Sequence, residues 1–337
     1  MMHEAVLSKK LGGGDVGCLA CERKCKMKPG MAGVCGVRKN VAGKLTLLVW
    51  GRVTGMAVDP MEKKPLYHFL PGSSILSMGT VGCNFGCKFC QNYLESQKSK
   101  EVGIRVEKLG KRVRPKELME YGVKNKIPAI AFTYNEPTIF SEWVVEVMKV
   151  AKKKGIRGVF VTNGYMSRET LDYLDNYIDA YNVDLKSFSQ RFYQEICGAS
   201  LKPVLKNIEE IYKRKKWIEV TTLIIPGKND SKKELGQMAK FLVSVSKDIV
   251  WHVSAFYPNY RMQDIESTSY EKLEEAVEIG KKAGLRYVYA GNIDKVNTTN
   301  CPKCGAEVII RHGYQVENRL KRGVCPKCGY KLSGIWE

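Results

Sequence analysis

Eleven of the twelve cysteines fall into three sets whose spacing suits metal chelation, and only Cys197 stands alone. The most compact set is Cys83-Asn84-Phe85-Gly86-Cys87-Lys88-Phe89-Cys90. Three thiolates so close on one loop can bind three irons of a four-iron cubane. With no fourth cysteine nearby, one iron keeps an open position for a substrate or cofactor. Gly82 and Gly86 free the backbone to wrap closely around such a cluster. The alternative is a zinc site completed by a distant residue such as Cys197. A second set, Cys301-Pro302-Lys303-Cys304 and Cys325-Pro326-Lys327-Cys328, has the paired-knuckle spacing of a tetrahedral four-cysteine site. Zinc is its first candidate, and rubredoxin-type iron takes the same ligands. The third set, Cys18, Cys21, Cys25 and Cys35, suggests another metal site, either structural zinc or an auxiliary [4Fe-4S] cluster.

The elements that must position these loops are legible as alternating apolar patterns. Residues 75–80, 129–133, 158–162, 180–184, 218–225, 251–256 and 287–290 read as strands. Between them, residues 115–124, 138–154, 167–176, 201–214, 231–245 and 268–283 show the three-to-four-residue spacing of amphipathic helices. Ser231 with Glu234, and Thr268 with Glu271, have capping-box spacing, while Gly155 and Gly284 sit where C-caps belong. The cysteine pattern divides the chain into residues 1–72, a cysteine-rich metal-binding region; 73–297, the alternating segment; and 298–337, a ribbon-like module. Strand-helix alternation predicts an α/β fold of parallel strands joined by right-handed crossovers, either an open sheet or a full or partial barrel. Chemistry is expected on the loops after the strands.

Cys-x3-Cys-x2-Cys with the aromatic Phe89 before its last cysteine resembles the signature loop of the radical S-adenosylmethionine (SAM) superfamily. The resemblance implies a [4Fe-4S] cluster on Cys83, Cys87 and Cys90, with SAM chelating the open iron. Reductive cleavage of SAM would then release a 5′-deoxyadenosyl radical that abstracts hydrogen. It also implies roles along the later strands. Thr133-Tyr134-Asn135-Glu136-Pro137 stands where the superfamily usually has a Gly-Gly-Glu turn, so Glu136 would meet the SAM amino group; Tyr134 and Asn135 depart from the glycine pair. Thr162-Asn163-Gly164 places Asn163 to bond the SAM ribose or carboxylate, although Asn-Gly turns also arise for purely structural reasons. Asp184-Leu185-Lys186 resembles the Asp-x-Lys of enzymes that activate pyruvate formate-lyase, with Lys186 facing the SAM carboxylate or else forming a surface ion pair. Ile225 would pack on adenine, or be ordinary strand core. His252 shares a strand face with Ser254 and is either a site residue or a structural histidine.

Taken together, these motifs resemble the radical SAM member of the AmmeMemoRadiSam system, a relative of pyruvate formate-lyase activating enzymes. That likeness implies a partial (β/α)6 barrel with an N-terminal Cys-rich extension and a C-terminal zinc-ribbon-like module. It also implies a macromolecular substrate, companion proteins of the system as partners, and a one-electron reductant of ferredoxin or flavodoxin type. The formal net charge of +20, from 55 basic and 35 acidic residues, keeps nucleic acid open as a partner. Between residues 298 and 337 seven Lys or Arg face three acids, which points the same way. Three functions therefore stand: hydrogen abstraction from a protein or other large substrate, RNA modification, and a non-enzymatic iron-sulfur electron carrier or sensor. No apolar run approaches the roughly 20 residues of a membrane span. Residues 1–10 lack an apolar stretch followed by a small-residue cleavage site, so a cytoplasmic location is expected.

Overall fold

The computed structural model describes residues 3–101 and 104–337, so the first two residues of the 1–10 stretch lie outside it. The chain divides into two compact units. One comprises residues up to 58, 75–179 and 196–199; the other comprises 59–74, 180–195 and 200–337.

The first unit contains the parallel strands β1 (Ser74–Gly79), β2 (Ala129–Phe132) and β3 (Arg157–Thr162). Ala129 pairs with Ile75 on one side and Arg157 on the other; Phe132 pairs with Met78 and Phe160. Every residue of β2 is buried, which is the continuous apolar run of a parallel strand covered on both faces. Besides a short helix at Tyr93–Lys98, this unit contains α1 (Pro115–Lys124), α2 (Ser141–Lys152) and α3 (Arg168–Leu174). The helix expected over 138–154 is divided, because Pro137 opens a separate 3₁₀ turn, Pro137–Phe140, before α2 begins. Ahead of β1 lie two small antiparallel sheets. One holds Ser8–Gly12, Asp15–Cys18 and Lys26–Met27; the other holds His3–Glu4, Arg38–Val41 and Lys44–Leu47. The cysteine-rich start is anchored on α3, where Thr170 Oγ1 donates to Ala20 O at 2.7 Å and Ser167 Oγ donates to Leu19 O.

The second unit contains β4 (Ala180–Asp184), β5 (Trp217–Ile224), β6 (Val250–Ala255) and β7 (Val288–Gly291), parallel and side by side in that order. Helices α4 (Lys202–Lys213), α5 (Lys232–Val245) and α6 (Tyr270–Ala283) connect them. Ser231 caps α5 by accepting from Glu234 N. The cap of α6 is Ser269 rather than Thr268, since Thr268 Oγ1 donates to Ile224 O and accepts from Phe256 N at 2.9 Å. Gly284 ends α6 in the left-handed region, φ 111°.

Beyond β7 the chain forms a three-stranded antiparallel sheet of Val296–Asn300, Glu307–His312 and Gln315–Asn318. This tail does not build a core alone. Cys301, Val308, Ile309, Cys325 and Leu332 pack with Tyr67, Val250, Tyr287 and Tyr289 in one cluster. Arg311, buried, donates to Thr299 Oγ1 at 2.9 Å and to Tyr67 O at 2.6 Å, fastening the tail to the 59–74 segment. No helix among the described residues is long and apolar enough to cross a membrane.

Candidate metal and cofactor site

β1 ends at Gly79, where a side chain is sterically impossible because a Cβ would lie 2.4 Å from Thr133 O on the neighbouring strand. The chain then turns through Gly82, φ +97°, into the Cys83–Cys90 loop. Asn135 braces this turn from the end of β2: its Nδ2 donates to Gly82 O at 2.8 Å and its Oδ1 accepts from Thr80 N at 3.2 Å. The far side of the loop rests on backbone at 196–197, with Gly86 N donating to Cys197 O and Lys88 N to Ile196 O. Cys197 therefore supports the loop through its carbonyl.

Within the loop, Phe85 N donates to Cys83 Sγ at 3.3 Å, Cys90 Sγ lies 3.1 Å from Ser96 Oγ, and Phe89 is buried. Lys100 reaches in to donate to Phe85 O at 2.5 Å and to Gln97 Oε1 at 2.9 Å. Burial, with Glu136 and Cys87 adding to it, pushes the Cys83 thiol far above its ordinary range. A thiolate there needs strong positive charge beside it, which bound iron supplies. The donor set thus fits an iron-sulfur cluster with three cysteine ligands.

Glu136 sits at the centre of the hydrogen bonds that join the ends of β2 and β3. Its Oε1 accepts from Thr138 N at 3.0 Å, from Thr138 Oγ1 and from Thr162 Oγ1 at 2.7 Å; its Oε2 accepts from Asn163 N at 2.7 Å. The carboxylate ties the end of β2 to the end of β3. Burial raises its pKa even though these donors pull the other way. Asn163 continues the network, donating from Nδ2 to Asn84 Oδ1 at 2.8 Å, with Cys83 Sγ 3.9 Å away. Its Oδ1 accepts from Tyr165 N, closing the Asn-Gly turn. Tyr134 adopts φ 69°, the left-handed conformation that a glycine would take without strain. Asn92 Nδ2 holds it there by donating to Tyr134 O at 2.8 Å.

In the second unit, Asp184 Oδ2 and Lys186 Nζ form an ion pair at 2.9 Å, with Lys186 the more enclosed partner. Asn229 joins the loops after β4 and β5: its Nδ2 donates to Lys186 O at 2.7 Å and Leu223 O at 2.8 Å, while its Oδ1 accepts from Ile225 N at 2.7 Å. Ile225 itself is fully buried. His252 faces Glu219, 2.6 Å from Nε2 to Oε2, and its ring meets Tyr67 edge-on at 4.7 Å. Glu219 also accepts from Tyr67 N, His68 N and Trp217 Nε1 at 2.8 to 2.9 Å. His252 therefore belongs to a buried polar knot under the C-terminal sheet.

The C-terminal cysteines converge. The sulfurs of Cys301, Cys304, Cys325 and Cys328 all lie within 4.8 Å of one another, with Cys301 to Cys328 at 3.6 Å and Cys304 to Cys325 at 3.8 Å. Tetrahedral ligation with metal-sulfur bonds of about 2.3 Å puts the sulfurs about 3.8 Å apart, so the quartet matches one mononuclear thiolate centre. The N-terminal four, Cys18, Cys21, Cys25 and Cys35, line one pocket together with Arg38 and Asn84.

Sequence reasoning missed Asn84, Ser96, Lys100, Asn229 and Glu219. Asn84, between the first two cysteines of the loop, had a local signal; the others are revealed only by packing.

The sequence profile of the Radical SAM superfamily matches residues 78–242. An uncharacterized protein of Methanocaldococcus jannaschii is 36% identical, over 98% of this chain and 99% of its own length. The pyruvate formate-lyase 1-activating enzyme of Escherichia coli K12 is 24% identical, over 49% of this chain and 68% of that protein. Among solved structures, a radical SAM methyltransferase from Sphaerobacter thermophilus superposes with a TM-score of 0.50 at 12% identity, covering 74% of this chain and 71% of the other; the likeness is one of fold. The matched region opens on β1, whose end feeds the three-cysteine loop, and the chain belongs to the radical SAM superfamily.

Proposed function

We propose that this protein is a radical SAM enzyme of the activating-enzyme type, acting by hydrogen abstraction on a macromolecular substrate, a protein in the first instance. The observation that carries the reading is the Cys83–Cys90 loop, braced by Asn135 and joined through Asn84 and Asn163 to Glu136. Cys83, Cys87 and Cys90 would hold a [4Fe-4S] cluster, leaving one iron for SAM. When bound, cluster and SAM together supply one-electron reductive cleavage to methionine and a 5′-deoxyadenosyl radical.

The chain's own residues orient and enclose. Three of the donors to Glu136 are on Oε1 and one is on Oε2, so Oε2 would still accept from the SAM amino group while the bonds already made set the β2 and β3 turns. Thr162 and Asn163 would present their turn to SAM, Lys186 would meet its carboxylate, and Ile225 would supply an apolar wall beside adenine. Phe89 and Tyr134 would screen the loop from water.

The relatives named as activating enzymes favour a protein substrate and a one-electron reductant of ferredoxin or flavodoxin type. The motifs extend this to a companion protein of the AmmeMemoRadiSam system. The partial (β/α)6 barrel over residues 73–297, the zinc ribbon over 298–337 and a cytoplasmic setting belong to the same reading. RNA modification is the second reading, carried by the net charge of +20.

Anaerobic reconstitution with iron and sulfide, followed by dithionite and SAM, tests the assignment by chromatography of 5′-deoxyadenosine. Product that disappears in Cys87→Ala supports it. Retained product in that variant, or none from the well-loaded wild-type cluster, sinks it. Salt-dependent binding and a mass shift in RNA, with no shift in a companion protein, would favour the second reading.

A further inference from the structure

The N-terminal cysteines do not share the geometry of the C-terminal quartet. Among the described residues, Cys301, Cys304, Cys325 and Cys328 form the one group whose ligand atoms gather within 4.8 Å. The N-terminal four line a common pocket without that convergence, and the thiols of the Cys83–Cys90 loop do not converge in that way either. A cubane explains the wider arrangement, because each thiolate then binds a different iron and neighbouring sulfurs stand roughly 6 Å apart rather than about 4 Å.

The pocket is also built for thiolates. Burial raises the thiols of Cys18, Cys21 and Cys35, and the backbone two residues on, at Ala20, Arg23 and Val37, pulls each the other way. In the loop that carries the superfamily's cluster motif, Phe85 N donates to Cys83 Sγ at 3.3 Å. Such donors fix ligand sulfurs and spread their negative charge. Positive side chains stand close by. Arg23 lines the pocket and donates to Asn84 O at 3.0 Å, and Arg38, buried, is held by Glu142 with Nη1 to Oε1 at 3.0 Å.

The two cysteine sets share walls. The Asn84 side chain, next to Cys83, faces the N-terminal pocket. A Cβ on Gly82 would lie 2.7 Å from Cys35 O, so the loop and Cys35 touch backbone to backbone. Ser99 Oγ also donates to Cys35 O at 2.8 Å.

We infer that Cys18, Cys21, Cys25 and Cys35 hold a second [4Fe-4S] cluster, fully ligated by cysteine and built against the loop of the first. It is a one-electron centre without an open iron, and therefore has no binding position for SAM.

Acid-labile sulfide decides the matter, since a mononuclear thiolate site contains none. The reconstituted full-length chain with Cys83→Ala, Cys87→Ala and Cys90→Ala is expected to retain about four sulfides and four irons, and to give a paramagnetic signal on reduction with dithionite. Adding Cys21→Ser to that variant should remove them. The wild-type chain, whose count does not depend on any variant folding, should hold about eight sulfides. No sulfide in the triple variant, about four in the wild type, or a second zinc per chain would overturn the inference. Formation of 5′-deoxyadenosine is scored separately: a chain with about eight sulfides that makes none keeps this inference and loses the proposed function.

Discussion

His68 offers a pH test whose sign and size follow from its surroundings. The ring is fully buried. Its Nδ1 lies 3.0 Å from Ser333 O, a carbonyl that can only accept, so Nδ1 carries the hydrogen. Its Nε2 is then an acceptor, 2.8 Å from Tyr289 OH; Tyr289 OH lies 2.7 Å from Thr299 Oγ1, which accepts from Arg311. The chain of donors runs one way, from Arg311 to Ser333, and needs a neutral imidazole. Burial is the largest influence on this ring. Glu219 and the Ser333 carbonyl oppose it and Arg311 and His252 add to it, so its pKa is pushed down to about 4 from 6.5. The unfolded chain takes up the proton as pH falls through about 6.5 while the folded chain does not until about 4, so stability is full above that window and lost within it. At 1.36 kcal/mol per pH unit, about 2.5 kcal/mol is lost by pH 4.5. The perturbation is His68→Gln, which cannot titrate. It is less stable than wild type at pH 7.5, and the gap between the two should shrink by that amount as pH falls to 4.5. Urea unfolding followed by tryptophan fluorescence reads it, with Trp336 tilted against the ring at 5.3 Å and Trp217 stacked on it at 6.3 Å. With a slope of about 3 kcal/mol/M, the two midpoints converge by a little under 1 M. Taking the difference at each pH cancels acid loss of thiolate-bound metal. A gap that stays constant to within about 1 kcal/mol would refute the buried-neutral assignment.

Glu219→Gln should cost about 3 kcal/mol or more, because an amide presents N–H toward backbone and side-chain donors that now share one carboxylate; an unchanged melting curve would contradict this. Asn135→Ala leaves Gly82 O and Thr80 N without their brace, and at about 1.4 kcal/mol should speed cluster loss to a chelator by on the order of tenfold, read as bleaching of the cluster absorbance. Cys325→Ser should release one metal per chain, leave acid-labile sulfide unchanged and lower the stability of the shared Tyr287–Tyr289 core; retention of that metal would show that the four sulfurs do not act as one centre.

The parallel strands were legible because their apolar runs are short, bounded by turn residues and buried on both faces, as at Ala129–Phe132. The misjudged helix ends have local causes. Pro137 separates one turn from α2, and Thr268 is drawn away from capping by two backbone partners on β5 and the β6 exit. The N-terminal strands, several only two residues long, carry too few side chains for any period to register.

The site shows the same division between what neighbours in sequence reveal and what only folding brings together. Cysteine spacing is local, and it marked the C-terminal quartet whose sulfurs the fold gathers. Thr138 is a local partner of Glu136, but Thr162 and Asn163 stand 26 and 27 positions away and meet it only because β2 and β3 pair in parallel with their C-terminal ends level. His252 was placed on a face by alternation, yet the alternation says nothing of Glu219, which pairing of β5 with β6 and the 59–74 segment bring against it. Resemblance gave Glu136 a ligand to hold, and the geometry adds four protein donors, three on Oε1 and one on Oε2. A carboxylate so placed also fixes the turns on either side of it. Shortening it to Asp should therefore disturb the position of Asn163 and Asn84, and with them Cys83, before it alters any direct contact.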